Sequence, residues 1–344
     1  MKKLFFTFLL STFFISIFNN CFAQDYKYSQ FYNSPLNLNP SFTGQIHSLY
    51  RLVANYRLQY LPIQKPAPYN TFSFSGDVGL LRDRLNGDIL GVGAVFTNDR
   101  QSSIKSNLMM VSLAYQKILT QKKNSYHYLS AGFQFGFTQR RIDVNNLAFE
   151  SQFTGTGFDL TLDNKENFFK DKYVKPNMNI GLMWTGRFNK MIGAYLGFSM
   201  FNIIKAKDTF FASDNERAYR MNAHAGLNVT IKDFVLISPN MMYMRQAKAQ
   251  QIIGGTSVAF SLNKDEPFRT AVSAGVWYDG NQAVIASAGV SFSGVQIGLS
   301  YDATFRKDLS KADKSFGALE ASIIYTSKPL EKKKRYSPLL CPNF

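Results

Sequence analysis

The chain of 344 residues is poor in the side chains that most often carry chemistry, with 2 cysteines, 3 histidines and 2 tryptophans. Cys21 and Cys341 lie near opposite ends, and Cys21 falls in a leader-like segment. Loss of that leader leaves one thiol and excludes an intramolecular disulfide scaffold. His47, His127 and His224 are far apart and flank no cysteine or carboxylate cluster, which argues against a zinc site. No G-x-G-x-x-G, P-loop or G-x-S-x-G pattern occurs. These absences lead us to expect a protein that is not an enzyme and that holds no cofactor or metal. The chain beyond its leader also lacks any run of 18 apolar residues, so no transmembrane helix is expected.

The leader itself is readable. Lys2 and Lys3 precede an apolar stretch over residues 4–18, followed by Asn19-Asn20 and Cys21-Phe22-Ala23. The small residues at Cys21 and Ala23 predict signal-peptide cleavage before Gln24, and the asparagines before Cys21 argue against lipidation. Removing Lys2 and Lys3 takes the formal charge from +16 to +14. An exported basic chain suggests anionic lipid headgroups rather than nucleic acid as the counterpart.

What the sequence does have is alternation. In the stretch 50–60, Tyr50, Leu52, Ala54, Tyr56, Leu58 and Tyr60 fall on one face, and Arg51, Asn55, Arg57 and Gln59 on the other, with Val53 the exception. In 128–138, Leu129, Ala131, Phe133, Phe135 and Phe137 oppose Ser130, Gly132, Gln134, Gly136 and Thr138. The same two-residue period recurs over 71–80, 89–97, 108–117, 177–187, 191–202, 219–231, 234–245, 251–262, 268–278, 283–293, 295–305 and 316–326. Strands with one apolar and one polar face, repeated in even number, predict an all-β fold: a transmembrane antiparallel β-barrel of about 14 strands. Even-to-odd joins are mostly tight, at Asn189-Lys190, Lys232-Asp233 and Ser293-Gly294, whereas 61–70, 98–107, 139–176, 203–218 and 306–315 are long. That asymmetry predicts short periplasmic turns and longer extracellular loops. Pro239 sits inside the ninth strand and predicts a bulge or break there, because proline has no N–H for the ladder.

Three segments fall outside the alternation. The loop 142–176 carries Asp143, Glu150, Asp159, Asp163, Glu166 and Asp171 against Lys165, Lys170, Lys172 and Lys175. With Phe149, Phe153, Phe158, Phe168 and Phe169 it reads as an extracellular docking loop or a weak Ca²⁺ site, against the plainer reading of a solvated loop. The tail 327–344 has a basic run, Lys332 to Arg335, and ends Cys341-Pro342-Asn343-Phe344; it reads as a frayed periplasmic tail or a peptide that a periplasmic partner recognises. The segment 24–48, "QDYKYSQFYNSPLNLNPSFTG" and the residues after it, is too rich in Pro, Asn and Ser for a core strand, yet dense in aromatics. It reads as a plug-like segment at the barrel's periplasmic mouth or a contact for a periplasmic partner. The barrel proper is expected over 49–326.

Within that segment, Ser29, Gln30, Phe31, Tyr32, Pro35, Leu36, Asn39, Pro40 and Gly44 form a pattern that resembles the N-terminal signature of the PorP/SprF family. Ser41 stands near where the family favours alanine. The stretches at 195–202 and 237–243, the region from Ser300, and the Cys341, Pro342 and Phe344 ending are also similar to that family. The resemblance implies an integral outer-membrane protein of the Bacteroidetes type IX secretion system, without enzymatic activity. It further implies help in exporting or anchoring a large secreted adhesin, contacts with periplasmic and outer-membrane secretion components and with outer-membrane lipid, and a link to gliding motility. Two competing readings are a transporter or porin for a small solute, and a barrel enzyme such as a lipase that would need a His–Ser pair.

Overall fold

In a computed structural model the described residues are 25–60, 69–82, 85, 87–122, 125–144, 147–163, 165, 171–205, 207–208, 210, 215–263, 267–280, 282–305 and 316–327. The leader, most of the tail with Cys341, Pro342 and Phe344, and the loop residues Phe168 and Phe169 lie outside them.

The sheet is a closed antiparallel barrel. Its strands are β1 (Tyr50–Gln59), β2 (Tyr69–Leu80), β3 (Ile89–Gln101), β4 (Ile104–Lys122), β5 (Ser125–Ile142), β6 (Lys172–Arg187), β7 (Ile192–Phe201), β10 (Arg220–Ile231), β11 (Val235–Gln246), β12 (Ala249–Ser261), β13 (Thr270–Asp279), β14 (Ala283–Phe292), β15 (Val295–Thr304) and β16 (Phe316–Thr326). Between β7 and β10 lies a two-residue ladder, β8 (Lys207–Asp208) with β9 (Asn215–Glu216). Each wall strand pairs with its neighbour in sequence, β7 with β10, and β16 closes on β1 in the register Arg57↔Glu320. All fourteen strands expected from alternation are present, in order. A ten-residue strand is about 33 Å long and, tilted by roughly 40°, crosses about 25 Å, the height of an outer-membrane apolar band.

The alternation sorts residues as a barrel in lipid requires. On β1, Arg51, Val53, Asn55 and Arg57 are buried in the lumen, while Tyr50, Leu52 and Tyr56 face outward. Val53, odd against the polar face in sequence, is thus a lumen residue. Outward faces elsewhere carry Phe72, Phe74, Val111, Phe133, Phe135, Leu196 and Leu299, all exposed in the isolated chain. No helix among the described residues is long and apolar enough to cross a membrane.

Tight turns join β6 to β7, β10 to β11 and β14 to β15 at one end. Lys232-Asp233 and Ser293-Gly294 place both turn residues at positive φ (51° and 54°, 50° and 89°), the mirror-image turn geometry that matches strand twist. The opposite end takes the long joins that follow Ile142, Phe201 and Thr304, together with short turns after Gln101 and Gln246. The turn end is therefore periplasmic and the loop end extracellular. The join expected to be long over 98–107 is a two-residue turn, because β3 and β4 keep pairing up to Gln101↔Ile104. Pro239 lies in β11 opposite Thr256 of β12, but pairing with β10 lapses between Gly226↔Asn240 and Val229↔Ile237. The expected break is real and confined to the side that would need the missing N–H.

Candidate functional site

The lumen is filled by the chain's own amino-terminal segment. Its backbone folds in short pieces: a 3-10 turn Phe31–Asn33, one α-helical turn Pro35–Leu38, and a 3-10 turn Pro40–Phe42. Pro35 and Pro40 each open a turn, where the absent N–H costs nothing. Asn39 caps the last turn by accepting from the Ser41 amide at 2.9 Å. These short turns satisfy only part of their own backbone, and the wall supplies further partners. Gln134 Nε2 donates to Leu36 O at 2.9 Å, Ser199 Oγ to Leu38 O at 2.8 Å, and Gln116 Nε2 to Thr43 O at 2.9 Å. The polar residues that alternation placed inside are thus the hydrogen-bonding complement of this segment.

Two ionic clusters tie it down. In the loop-end half of these strands, Arg57 of β1 reaches Asp302 Oδ2 of β15 at 2.8 Å and Glu320 Oε2 of β16 at 3.1 Å. The Ser29 amide donates to Glu320 Oε2 at 2.7 Å, its hydroxyl to Asp302 Oδ2 at 2.6 Å, and the Gln30 amide to Glu320 Oε1 at 3.1 Å. Arg57 Nη1 also donates to Ser29 Oγ. Toward the turn end, Arg51 forms a fork on Asp77 at 3.0 and 2.9 Å, and Gly44 donates its amide to Asp77 Oδ2 at 2.7 Å. Such charge-assisted, desolvated contacts fix one geometry, since a buried charge without its partners is costly.

Aromatic packing fills the space between. Tyr32 stacks on Trp277 with centroids 4.6 Å apart, and Phe42 stacks on His224 at 5.4 Å. His224 Nε2 stands 3.0 Å from Asn39 Nδ2, so this lumen-facing histidine is held by the segment. Leu36 packs with Val95 and Met110. Close approach of backbones is exacting at Gly44 and Gly91. Gly44 has φ +73°, and a Cβ on Gly91 would lie 1.9 Å from Thr43 O.

The segment's course corrects one expectation. Ser29, Gln30, Phe31, Tyr32, Pro35, Leu36, Asn39, Pro40 and Gly44 were set at the periplasmic mouth, facing the periplasm. The structure buries all the side chains among them against the lumen wall and runs the segment through the barrel's height. The turn end holds Ile46, whose carbonyl accepts from Arg82. The loop end holds Asp25. Its amide donates to Gln246 Oε1 at 2.7 Å and its carboxylate accepts from Asn202 Nδ2 at 2.6 Å and from Arg217. Burial pushes the Asp25 carboxyl up, but Arg217 and Arg220 outweigh it and hold it well below the usual carboxylate range. Two gaps lined by the segment measure about 10 and 30 Å³, room for a water or two.

The other candidate residues lie apart from this site. Phe153 and Phe158 face each other across an isolated bridge, rings 5.1 Å apart, at the exposed tip of the 143–171 loop. Phe149 caps the 3-10 turn Glu150–Gln152. Asp159 accepts from the Thr161 hydroxyl and amide, at 2.6 and 2.9 Å, which lowers its carboxyl pKa. Among the described residues no three His, Cys, Asp or Glu side chains converge on a metal position.

The family-like residues thus sit on the segment that occupies the barrel's lumen. The model of the type IX secretion system membrane proteins PorP/SprF matches residues 20–325. The chain belongs to the PorP/SprF family. It is therefore an outer-membrane component of type IX secretion, a system that implies association with further secretion components. A search of curated proteins finds no match. Among solved structures the barrel is similar to the CymD monoaromatic hydrocarbon channel, at 12% identity and TM-score 0.51, covering 87% of this chain and 94% of that one. The Ralstonia pickettii toluene transporter TbuX gives 9% identity, TM-score 0.49 and the same coverage. At these identities the likeness is one of fold alone. Within this PorP/SprF barrel, sequence reasoning missed Arg51, Asp77, Asp302, Glu320 and Trp277 as partners of the segment. A charged residue on an otherwise Gly/Ser/Thr lumen face was the available signal.

Proposed function

We propose that this PorP/SprF protein is a non-enzymatic adaptor that assists export or surface anchoring of one large secreted adhesin. The carrying observation is the lumen, occupied along its height by a segment hydrogen-bonded to the wall. A filled lumen leaves the barrel's outer loops, rather than its interior, as the place where a large partner is held. The paired Phe153 and Phe158 at an exposed loop tip, with Asp159 beside them, offer an apolar contact of the kind that anchors protein interfaces.

Deleting the gene should leave a large adhesin missing from the cell surface while nutrient uptake stays normal. Loss of uptake of one solute, with surface adhesins intact, would instead select a transporter like the channel whose fold it shares. In planar bilayers the purified protein should show no stable conductance, and a chain lacking residues 25–46 should leak. A steady open channel in the full chain would sink the adaptor reading.

A further inference from the structure

The amino-terminal segment crosses the membrane inside its own barrel, with Asp25 at the loop end and Ile46 at the turn end. We propose that this segment is installed before the β1–β16 seam closes and templates that closure. We further propose that the chain end released by leader removal is delivered to the outer face of the membrane.

Three observations carry this. First, the segment and the wall fit as one core. Phe42, Asn39, Ser41 and Thr43 are fully buried, and the Thr43 carbonyl sits where a single methyl on Gly91 would be. Segment and wall are packed as one core, so each takes its shape against the other.

Second, one of the segment's charged anchor points lies on the closing strands. Arg57 and Glu320 are register partners across the β1–β16 seam, and Asp302 is on the strand beside it. Ser29 and Gln30 bind all three neighbours at once: Ser29 meets Arg57, Asp302 and Glu320, while Gln30 bonds Glu320 and the Ser300 hydroxyl at 3.2 Å. The first and last strands to be made thus meet over a dipeptide that precedes both in the chain.

Third, the leader expected over residues 1–23 carries Lys2, Lys3 and the apolar stretch 4–18. Left uncut, it would have to be carried to the loop end ahead of Asp25. On this proposal its removal comes before closure.

The test uses the full chain with Cys341→Ser as background. Gln24→Cys and Leu49→Cys are each treated with a membrane-impermeant maleimide, on intact and on lysed cells. Gln24→Cys should label on intact cells and Leu49→Cys only after lysis; any other pattern overturns the delivery of the chain end. In parallel, purified chains with and without the leader are refolded into detergent, which separates folding from targeting. The leader-bearing chain should give at least tenfold less of the form that shifts on unheated gels, and Ser29→Ala with Gln30→Ala should slow the leaderless chain. Equal yields for the leader-bearing chain, with its 25–48 segment protected from protease, would overturn the order of events.

Discussion

The Ser29 amide donates to Glu320 Oε2 at 2.7 Å although 291 residues separate them in the chain. Through this bond the start of the segment touches the last strand, at a point where Arg57 brings in the first.

Removing Arg57 leaves two buried carboxyl groups facing each other. Arg57→Ala should therefore destabilise the barrel by about 3–5 kcal/mol. The measurement is the temperature at which the folded gel form converts to the unfolded one. The triple variant Arg57→Met, Asp302→Asn, Glu320→Gln should recover much of the loss, because it removes the charges together.

Two glycines should separate close packing from open space. Gly91→Ala would press a methyl onto the Thr43 carbonyl at 1.9 Å, and should expel or distort the segment, seen as new protease cuts within 25–48. Gly157→Ala, with nothing within 4 Å, should match the parent. Equal protease patterns for Gly91→Ala and the parent would count against the seal.

Tyr32 covers the indole of Trp277, whose Nε1 donates to Asn240 at 2.9 Å. Tyr32→Ala should cost about 3–5 kcal/mol, the range for deleting a large buried aromatic. In a Trp184→Phe background the single remaining indole should report the change as altered emission. Unchanged emission and stability would mean the stack is not populated.

Asp25 gives a pH prediction with a definite sign. Its folded-state pKa lies below the ordinary value of about 3.9, so its contribution is complete above that value. It is lost only as pH falls through the depressed folded value. The stability difference between the parent and Asp25→Asn should be constant from pH 8 to 5 and shrink below about pH 4. A difference that vanishes between pH 7 and 6 would contradict the Arg217 and Arg220 contacts.

Much of the wall was legible in sequence, because a strand between lipid and lumen must alternate; residues 128–138 show it almost without exception. Above the apolar band that constraint lapses. The stretch 98–107 is polar on both faces and reads as a loop, yet backbone pairing such as Arg100↔Lys105 carries the ladder on. The segment 25–48 has no period at all. Its composition announced that it needs a surface, and its family-like residues marked it, but its path did not follow. That path depends on Glu320, Asp302 and Trp277, which stand far from Ser29 and Tyr32 in the chain and meet them only through the fold. Charges such as Arg57 on the lumen face had satisfied the alternation and so raised no further question.

Pro239 has a consequence for how such a ring gives way. A cylinder of paired strands has no free edge, so it resists unzipping until some seam yields. Proline removes one rung between β10 and β11, beside Leu227 and Asn228, while β11 stays fully laddered to β12. Under pulling force, or in harsh detergent, rupture should begin at that missing rung, on the side of the wall away from the clamp at Arg57.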